Sequence, residues 1–257
     1  MKVENMNIGQ GSSAVMSHTL LKRIPVNYTP GTEIMYGGKM LYTTGKTIRD
    51  ADMKVFLCIL KAYTDNKHDA LVKAKDIPNV EISLDSTIFN VSVAEISTLA
   101  YRQRARGTRL VQSLERFSEM KIHLLDDNGE MMGFVQLVSG AKLSKDKKTL
   151  EVAMNKSFFK DMAKTVVQYN FTKMLELKNL DFRLYIAMQQ RKYMIKKGRF
   201  GYANIGHNEL LDILNMHTRN AKSKIQESFQ KIGINFVLGT NNKWHYPKAK
   251  TIKNVEL

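Results

Sequence analysis

Arginine dominates one short stretch of the chain. In YRQRARGTRLVQSLERFSEM, Arg102, Arg104, Arg106 and Arg109 crowd a turn and the start of a helix-like run. Between Tyr101 and Lys121, six side chains are basic and two acidic. A guanidinium is a planar fork that grips a phosphate, or the O6/N7 edge of guanine, through two hydrogen bonds. With Leu110, Leu114 and Phe117 spaced to face a core, Thr108 heads the run, and Arg109, Gln112, Ser113 and Arg116 are expected on the outer face. A second set follows near the C-terminus. There Ala221, Ile225, Phe229 and Ile232 form the apolar stripe, leaving Arg219, Asn220, Lys222, Ser223 and Lys224 outward. Asn can read adenine with two hydrogen bonds, and Lys reads guanine or finds phosphate. The run Arg191, Lys192, Lys196, Lys197 and Arg199 suits phosphate contacts, which anchor without specifying. So does the turn Gly239-Thr240-Asn241-Asn242-Lys243, with Asn241, Asn242 and Lys243 at its tip. A solvated basic surface would account for any one of these runs; their recurrence in two comparable places favours nucleic acid.

Enzyme chemistry fails on spacing. Gly45-Lys46-Thr47 matches the end of a phosphate-binding loop, but Met40 occupies the required first glycine position and no strand-then-helix context surrounds it. The six histidines (18, 68, 123, 207, 217 and 245) include no pair spaced to hold a metal. His207 reads more simply as a helix-start residue, and Trp244 as a core or domain-interface residue rather than a base-stacking platform. No nucleophile with a positioned base is visible. A binding protein without cofactor or metal is expected.

The composition agrees. The 257 residues carry 40 Lys plus Arg against 24 Asp plus Glu, a net charge of +16, and are 43% hydrophobic. A chain with that much apolar material folds, and a charge that large calls for a polyanionic partner, nucleic acid before an anionic membrane. One cysteine, Cys58, excludes a disulfide framework and a thiolate zinc site. No apolar stretch approaches the roughly 18 residues of a bilayer span, and the N-terminus lacks the apolar core of a secretory signal, so a cytoplasmic location is expected.

The elements that must position these side chains follow from periodicity. Residues 1–49 read as an N-terminal arm, broken by Pro25, Pro30 and Gly37-Gly38, with a short hairpin possible in YGGKMLYTTGKTI. From Asp50, Met53, Phe56, Leu57, Leu60 and Tyr63 recur at one-sided helical spacing. EISLDSTIF alternates like a strand. Ser92 and Glu95 form a capping box ahead of the helix VAEISTLAY. After the basic helix, KIHLL and MGFVQLVS flank Asp126-Asp127-Asn128-Gly129-Glu130, a hairpin signal. That acidic tip fits phosphate poorly, so packing or protein contact is its expected role. The strand TLEVAMN follows the Lys-rich turn KLSKDKK, and SFFKDMAKT reads as a short helix. After residue 168 the order recurs: the helix LKNLDFRLYIAMQQRKYMI, the strand GRFGYANI, the helix HNELLDILN, a basic helix capped by Thr218, then a hairpin. Residues 1–168 hold 24 basic and 18 acidic side chains, and residues 169–257 hold 16 and 6. No identity links the halves; the repeat is one of pattern. The expected fold is α+β, with two tandem winged-helix domains (helix-turn-helix with a β-hairpin wing) over 50–168 and 169–257 behind the arm. Two such units would read one duplex about one helical turn apart, roughly 34 Å.

Three stretches carry a family likeness: VSVAEISTLAYRQRARGTRLVQSLERFSEMKIHLLDDNGEMMGFVQLVS, the connector beginning LEVAMNKSFFKDMAK, and YNFTKMLELKNLDFRLYIAMQQRKYMIKKGRFGYANIGHNELLDIL. Over about 200 residues the chain resembles plasmid replication initiators of the tandem winged-helix kind, most of all the RepC-type initiators of IncQ plasmids. The resemblance implies binding to directly repeated origin sites (iterons) in double-stranded DNA, opening of neighbouring AT-rich DNA, recruitment of the replicative helicase and a monomer–dimer equilibrium. By position, the reading helices would be Thr108 to Met120 and Arg219 to Ile232. The alternatives are a winged-helix transcriptional repressor on an operator and an RNA-binding or interaction protein. The absence of an aromatic-rich sheet motif argues against RNA.

Overall fold

The computed structural model describes residues 3–17, 21, 33–36, 39–74, 86–103, 106–126, 128, 130–156, 166–196, 198–214, 216, 218–234 and 236–246. The chain is mixed α+β and divides into two compact units, Met1–Leu175 and Glu176–Leu257. The boundary thus lies a few residues beyond the expected 168/169, because the strand Val166–Asn170 and the start of the helix after it belong to unit 1.

Unit 1 is built on α1 (Asp50–Ala74), a helix kinked at Lys67. Its run from Val55 to Leu60 is fully buried, so several neighbours cover it. The strand β5 (Ser86–Ser92) leads into α2 (Val93–Tyr101), which begins where Ser92 accepts a hydrogen bond from the Glu95 amide at 3.3 Å. That is half of the expected capping box. The Glu95 carboxylate instead accepts from the Ile8 amide at 3.2 Å, 87 residues away. A left-handed Arg102 ends α2, and α3 (Gly107–Glu119) follows. Leu110, Leu114 and Phe117 of α3 are completely buried, and the Phe117 ring stacks on Phe56 of α1 at 4.3 Å.

The segment expected to be an arm is woven into this unit. β1 (Glu4–Met6) pairs in parallel with β5, and β2 (Ser13–Ser17) pairs antiparallel with β10 (Val166–Asn170). Met6, Ile8, Ala14 and Met16 are buried. The buried Lys61 of α1 bonds the Ser13 carbonyl (2.9 Å) and Asp65 (2.8 Å), and Asp65 also accepts from the Gly9 amide (2.8 Å). β3 (Glu33–Tyr36) and β4 (Lys39–Thr44) form a hairpin that begins three residues ahead of the stretch expected to hold one, with Gly37-Gly38 between the two strands in the sequence.

Two hairpins follow α3. The one flanking the acidic turn, β6 (Lys121–Leu125) with β7 (Met131–Gln136), joins β3 and β4 in a sheet of order β3-β4-β6-β7. The run MGFVQLVS is therefore not one strand: it breaks at the buried Leu137, and β8 (Val138–Leu143) begins a different sheet. In that sheet β9 (Thr149–Asn155) lies between β5 and β8, giving the order β1-β5-β9-β8. The SFFKDMAKT segment lies outside the described residues.

Unit 2 repeats the scheme in fewer residues. α4 (Phe171–Glu176) bridges the boundary, and α5 (Asn179–Lys196) is buried along Phe182 and from Leu184 to Met188. GRFGYANI forms a 3-10 turn (Phe200–Ala203) before the short β11 (Asn204–Gly206). α6 (His207–Leu214) and α7 (Ala221–Ile232) come next, then β12 (Val237–Leu238) and β13 (Lys243–His245), in the sheet order β11-β13-β12. Thr218 supplies a carbonyl to the Ala221 amide, and Asn220 holds the cap position itself. Both units thus place the strand before the helix pair against the last strand of a hairpin. No helix among the described residues is long and apolar enough to cross a membrane.

Candidate nucleic-acid interface

In unit 1 the exposed end of α3 is its N-terminal one. Arg102, Arg106, Thr108, Arg109 and Gln112 are exposed, and the unsatisfied amides of a helix start add partial positive charge to theirs. The Arg109 guanidinium lies 4.3 Å over the Tyr101 ring, and the Tyr101 hydroxyl bonds Ser113 Oγ at 3.2 Å. An arginine laid on an aromatic face loses less freedom when its fork meets a ligand. Arg104 lies outside the described residues.

Two residues expected on that face are elsewhere. Ser113 is buried, since it stands three residues after Leu110 and four before Phe117, inside the apolar stripe rather than opposite it. Arg116 sits on the flank, where its Nε meets the buried carboxylate of Asp52 at 3.3 Å. Asp52 also accepts from the Arg49 amide at 3.0 Å, so this carboxylate ties the start of α1 to α3. Arg116→Ala is expected to cost about 1–3 kcal/mol, since it strips a partner from a buried charged group. Chemical denaturation measures that loss, and an unchanged midpoint would contradict the pairing.

In unit 2, Arg219, Asn220, Lys222, Ser223 and Lys224 are all exposed, before and along the first turn of α7. Ser223 Oγ donates to the Asn220 carbonyl at 3.1 Å, which fixes that turn. Asn241, Asn242 and Lys243 are exposed at the hairpin tip, where Asn242 takes a left-handed φ of 57°. Asn241 Oδ1 accepts from the Lys243 amide at 3.3 Å and lies 3.0 Å from His245 Nε2, so its carbonyl side is engaged in holding the turn.

The run at the end of α5 splits. Lys196 and Arg199 are exposed, and Lys197 lies outside the described residues. Arg191 is not a free cation: it donates to Glu209 Oε1 at 2.7 Å and to the Asn204 carbonyl at 3.0 Å, tying α5 to α6 and β11. Lys192 is half-buried on the same helix. The sequence run contains no acid, but the fold brings Glu209 to it.

Trp244, expected in the core or at a domain interface, is 1% exposed, packed on Phe229 at 5.2 Å, and its indole N–H donates to His207 Nδ1 at 3.1 Å. Burial and the nearby Lys222 push the His207 pKa below its ordinary value. Among the described residues, no group of three His, Cys, Asp or Glu side chains is placed to hold a metal. The acidic hairpin is also apolar on β7, with Met131, Met132 and Phe134 exposed and Lys121 Nζ 4.7 Å over the Phe134 ring.

This architecture has a solved counterpart. Over 94% of this chain and 100% of the other, the structure superposes with a TM-score of 0.53 on a crystal structure of the Pi initiator protein in complex with iteron DNA, at 10% sequence identity. The chain shares the fold of that initiator protein. No protein-family model matches the sequence, and no curated protein does.

Proposed function

We propose that this chain is a plasmid replication initiator that binds directly repeated origin sites in double-stranded DNA through two tandem winged helices, with α3 and α7 as the groove-entering helices. In this reading it opens the neighbouring AT-rich DNA and recruits the replicative helicase, shifting between monomer and dimer. It works in the cytoplasm by binding, without catalysis or cofactor. The sequence likeness to RepC-type initiators of IncQ plasmids gives the family proposed.

One observation carries the reading. Each unit exposes a cationic start of the helix that follows its helix-turn, on a fold shared with a protein crystallised on iteron DNA. Linking two such units on one chain raises the effective concentration of the second once the first has docked. Affinity should then fall steeply with salt, as each neutralised phosphate releases counterions.

The deciding experiment is selection of bound duplexes from a random pool, followed by footprinting of the winning site. Several direct repeats beside an AT-rich tract support an initiator. A single inverted repeat over a promoter would mark a repressor using the same fold, and preference for single strands or A-form duplex would mark an RNA-binding protein. On the selected site, Arg109→Ala and Lys224→Ala should each cost about 1–3 kcal/mol of discrimination, whereas Lys196→Ala should weaken selected and random duplexes alike. Equal effects of all three on both duplexes would remove the division between reading and anchoring.

A further inference from the structure

The Lys-rich turn between β8 and β9 has a position and a charge that neither the arginine cluster nor the hairpin at Asp126 shares. Three lysines, Lys145, Lys147 and Lys148, are exposed in this turn against one acid, Asp146, while the exposed Lys142 of β8 stands opposite Glu151 of β9. We infer that this turn is the phosphate-gripping wing of unit 1, holding the DNA backbone beside the groove that α3 enters; the inference rests on the duplex-binding function proposed above.

Topology points to this hairpin first. In unit 2 the strand before the helix pair, β11, pairs with β13, the last strand of the β12–β13 hairpin. In unit 1 the equivalent strand, β5, pairs along its whole length with β9, the last strand of β8–β9. The β6–β7 hairpin, although it directly follows α3, belongs to another sheet and is an insertion between the basic helix and the wing.

The seating is equally specific. Leu143, at the end of β8, packs so closely on Gly107 that a Cβ there would lie 2.8 Å from Leu143 Cδ2. Gly107 is the first residue of α3, so the base of the turn abuts the end of the helix that exposes Arg106, Thr108 and Arg109. On the other strand, the Lys148 carbonyl accepts from the amide of Val93, the first residue of α2, at 2.9 Å. One hairpin end is thereby fixed to both helices of the helix-turn-helix.

The turn itself is held rigid, and its acid is used up in doing so. The Ser144 amide donates to the Thr149 carbonyl and the Ser144 carbonyl accepts from the Lys147 amide, at 2.9 Å each, and the Ser144 hydroxyl accepts from the Thr149 amide at 3.0 Å. That hydroxyl donates to Asp146 Oδ1 at 2.6 Å, and the same oxygen accepts from the Lys148 amide at 3.1 Å. These bonds, the Ser144 hydroxyl first, hold the Asp146 carboxyl below the usual range and keep it charged as a brace for the turn. The lysine side chains then project from a preformed loop, which lowers the ordering cost of meeting phosphate. By contrast, the tip at Asp126 and Glu130 presents carboxylates and exposed Met131 and Met132, a surface that repels a backbone.

The test is a salt titration of the full chain carrying Lys145→Gln, Lys147→Asn and Lys148→Gln. Asn is chosen at 147 because that residue has a φ of 58°, a conformation Asn tolerates. Binding is followed by fluorescence anisotropy on a random-sequence duplex and on the duplex that wins the selection. The slope of log affinity against log salt should become shallower by about 0.9 for each phosphate no longer neutralised, so by about 2–3 for the triple variant. Affinity should drop by one common factor on both duplexes with base preference unchanged, and Lys145→Arg with Lys148→Arg should keep the parental slope. Should the triple variant melt early, Lys145→Gln with Lys148→Gln alone should still lower the slope by about 2. A parent that binds both duplexes alongside variants with its slope would overturn the wing assignment alone. A parent that binds neither duplex would overturn the proposed function, and the wing with it.

Discussion

Phe117→Ala is expected to destabilise unit 1 by about 3–5 kcal/mol, the range for emptying a fully buried aromatic site. The ring is completely buried, and its stack on Phe56 at 4.3 Å with 15° between planes is the closest aromatic contact between α1 and α3 among the described residues. Alanine leaves a cavity that the neighbours Leu110 and Leu114, on the same stripe, cannot both fill from a helix. Since Arg106, Arg109 and Gln112 are oriented by how that stripe seats on α1, the same change should abolish duplex binding before global unfolding is complete. Denaturant titration followed by far-UV circular dichroism measures the first effect and anisotropy on the selected duplex the second. A loss below about 1 kcal/mol would mean that Phe117 is not the anchor, since large-to-small changes at true core sites cost more. Phe117→Leu should fall between, because a branched aliphatic fills part of the space and gives up only the ring stack.

That anchor is legible in the amino-acid sequence, because helical periodicity records burial directly: Leu110, Leu114 and Phe117 repeat at the spacing of one face, and all three are buried. Ser113 shows the limit of reading by residue type. Its polarity suggests the outer side, whereas its register between Leu110 and Phe117 puts it inward, and the Tyr101 hydroxyl supplies the partner that burial requires. Arg116 and Arg191 depart from expectation for another reason. Their acids, Asp52 and Glu209, lie 64 and 18 positions away, and no local pattern announces a charge pair closed by tertiary folding. The N-terminal segment is similar: a three-residue strand adding to β5 and a loop held by Lys61, Asp65 and Glu95 have no period to detect. Gly45-Lys46-Thr47, which matches only the end of a phosphate loop, has a packing explanation. Gly45 has a φ of 116° and passes so near the Glu119 carbonyl that a Cβ would overlap its oxygen, while Lys46 pairs with the Glu119 side chain at 2.6 Å. The two hairpins after α3 are both visible as turns in the sequence. Which of them pairs with β5 is a choice made by sheet register, and strand alternation is the same for either.

Trp244→Ala should cost unit 2 about 3–5 kcal/mol at neutral pH, and the parental chain should lose part of the same stability in acid. An indole N–H can only donate, so the His207 Nδ1 that receives it must carry a lone pair, and the imidazole is neutral with its proton on Nε2. Protonating His207 replaces that lone pair with a second donor and sets two N–H groups against each other. Burial opposes the charge first and Lys222 opposes it further, so the folded-state pKa lies below the ordinary value of 6.5. The sign follows from that direction. Above the ordinary value neither state binds the proton and the contribution is fully present; as pH falls through it, the unfolded chain takes up a proton that the folded chain refuses, and stability drops until the folded pKa is reached. His207→Gln can still offer a carbonyl oxygen to the indole but does not titrate there, so its melting temperature should change less between neutral and mildly acidic pH than the parent's. Identical acid sensitivity in the two proteins would show that other groups carry the effect. The consequence reaches the interface because His207 opens α6, its amide bonds the Asn242 carbonyl at 3.0 Å, and Trp244 is the middle residue of β13. One neutral imidazole therefore fastens the hairpin tip bearing Asn241, Asn242 and Lys243 to the helix pair, and acid should loosen that tip before it unfolds the unit.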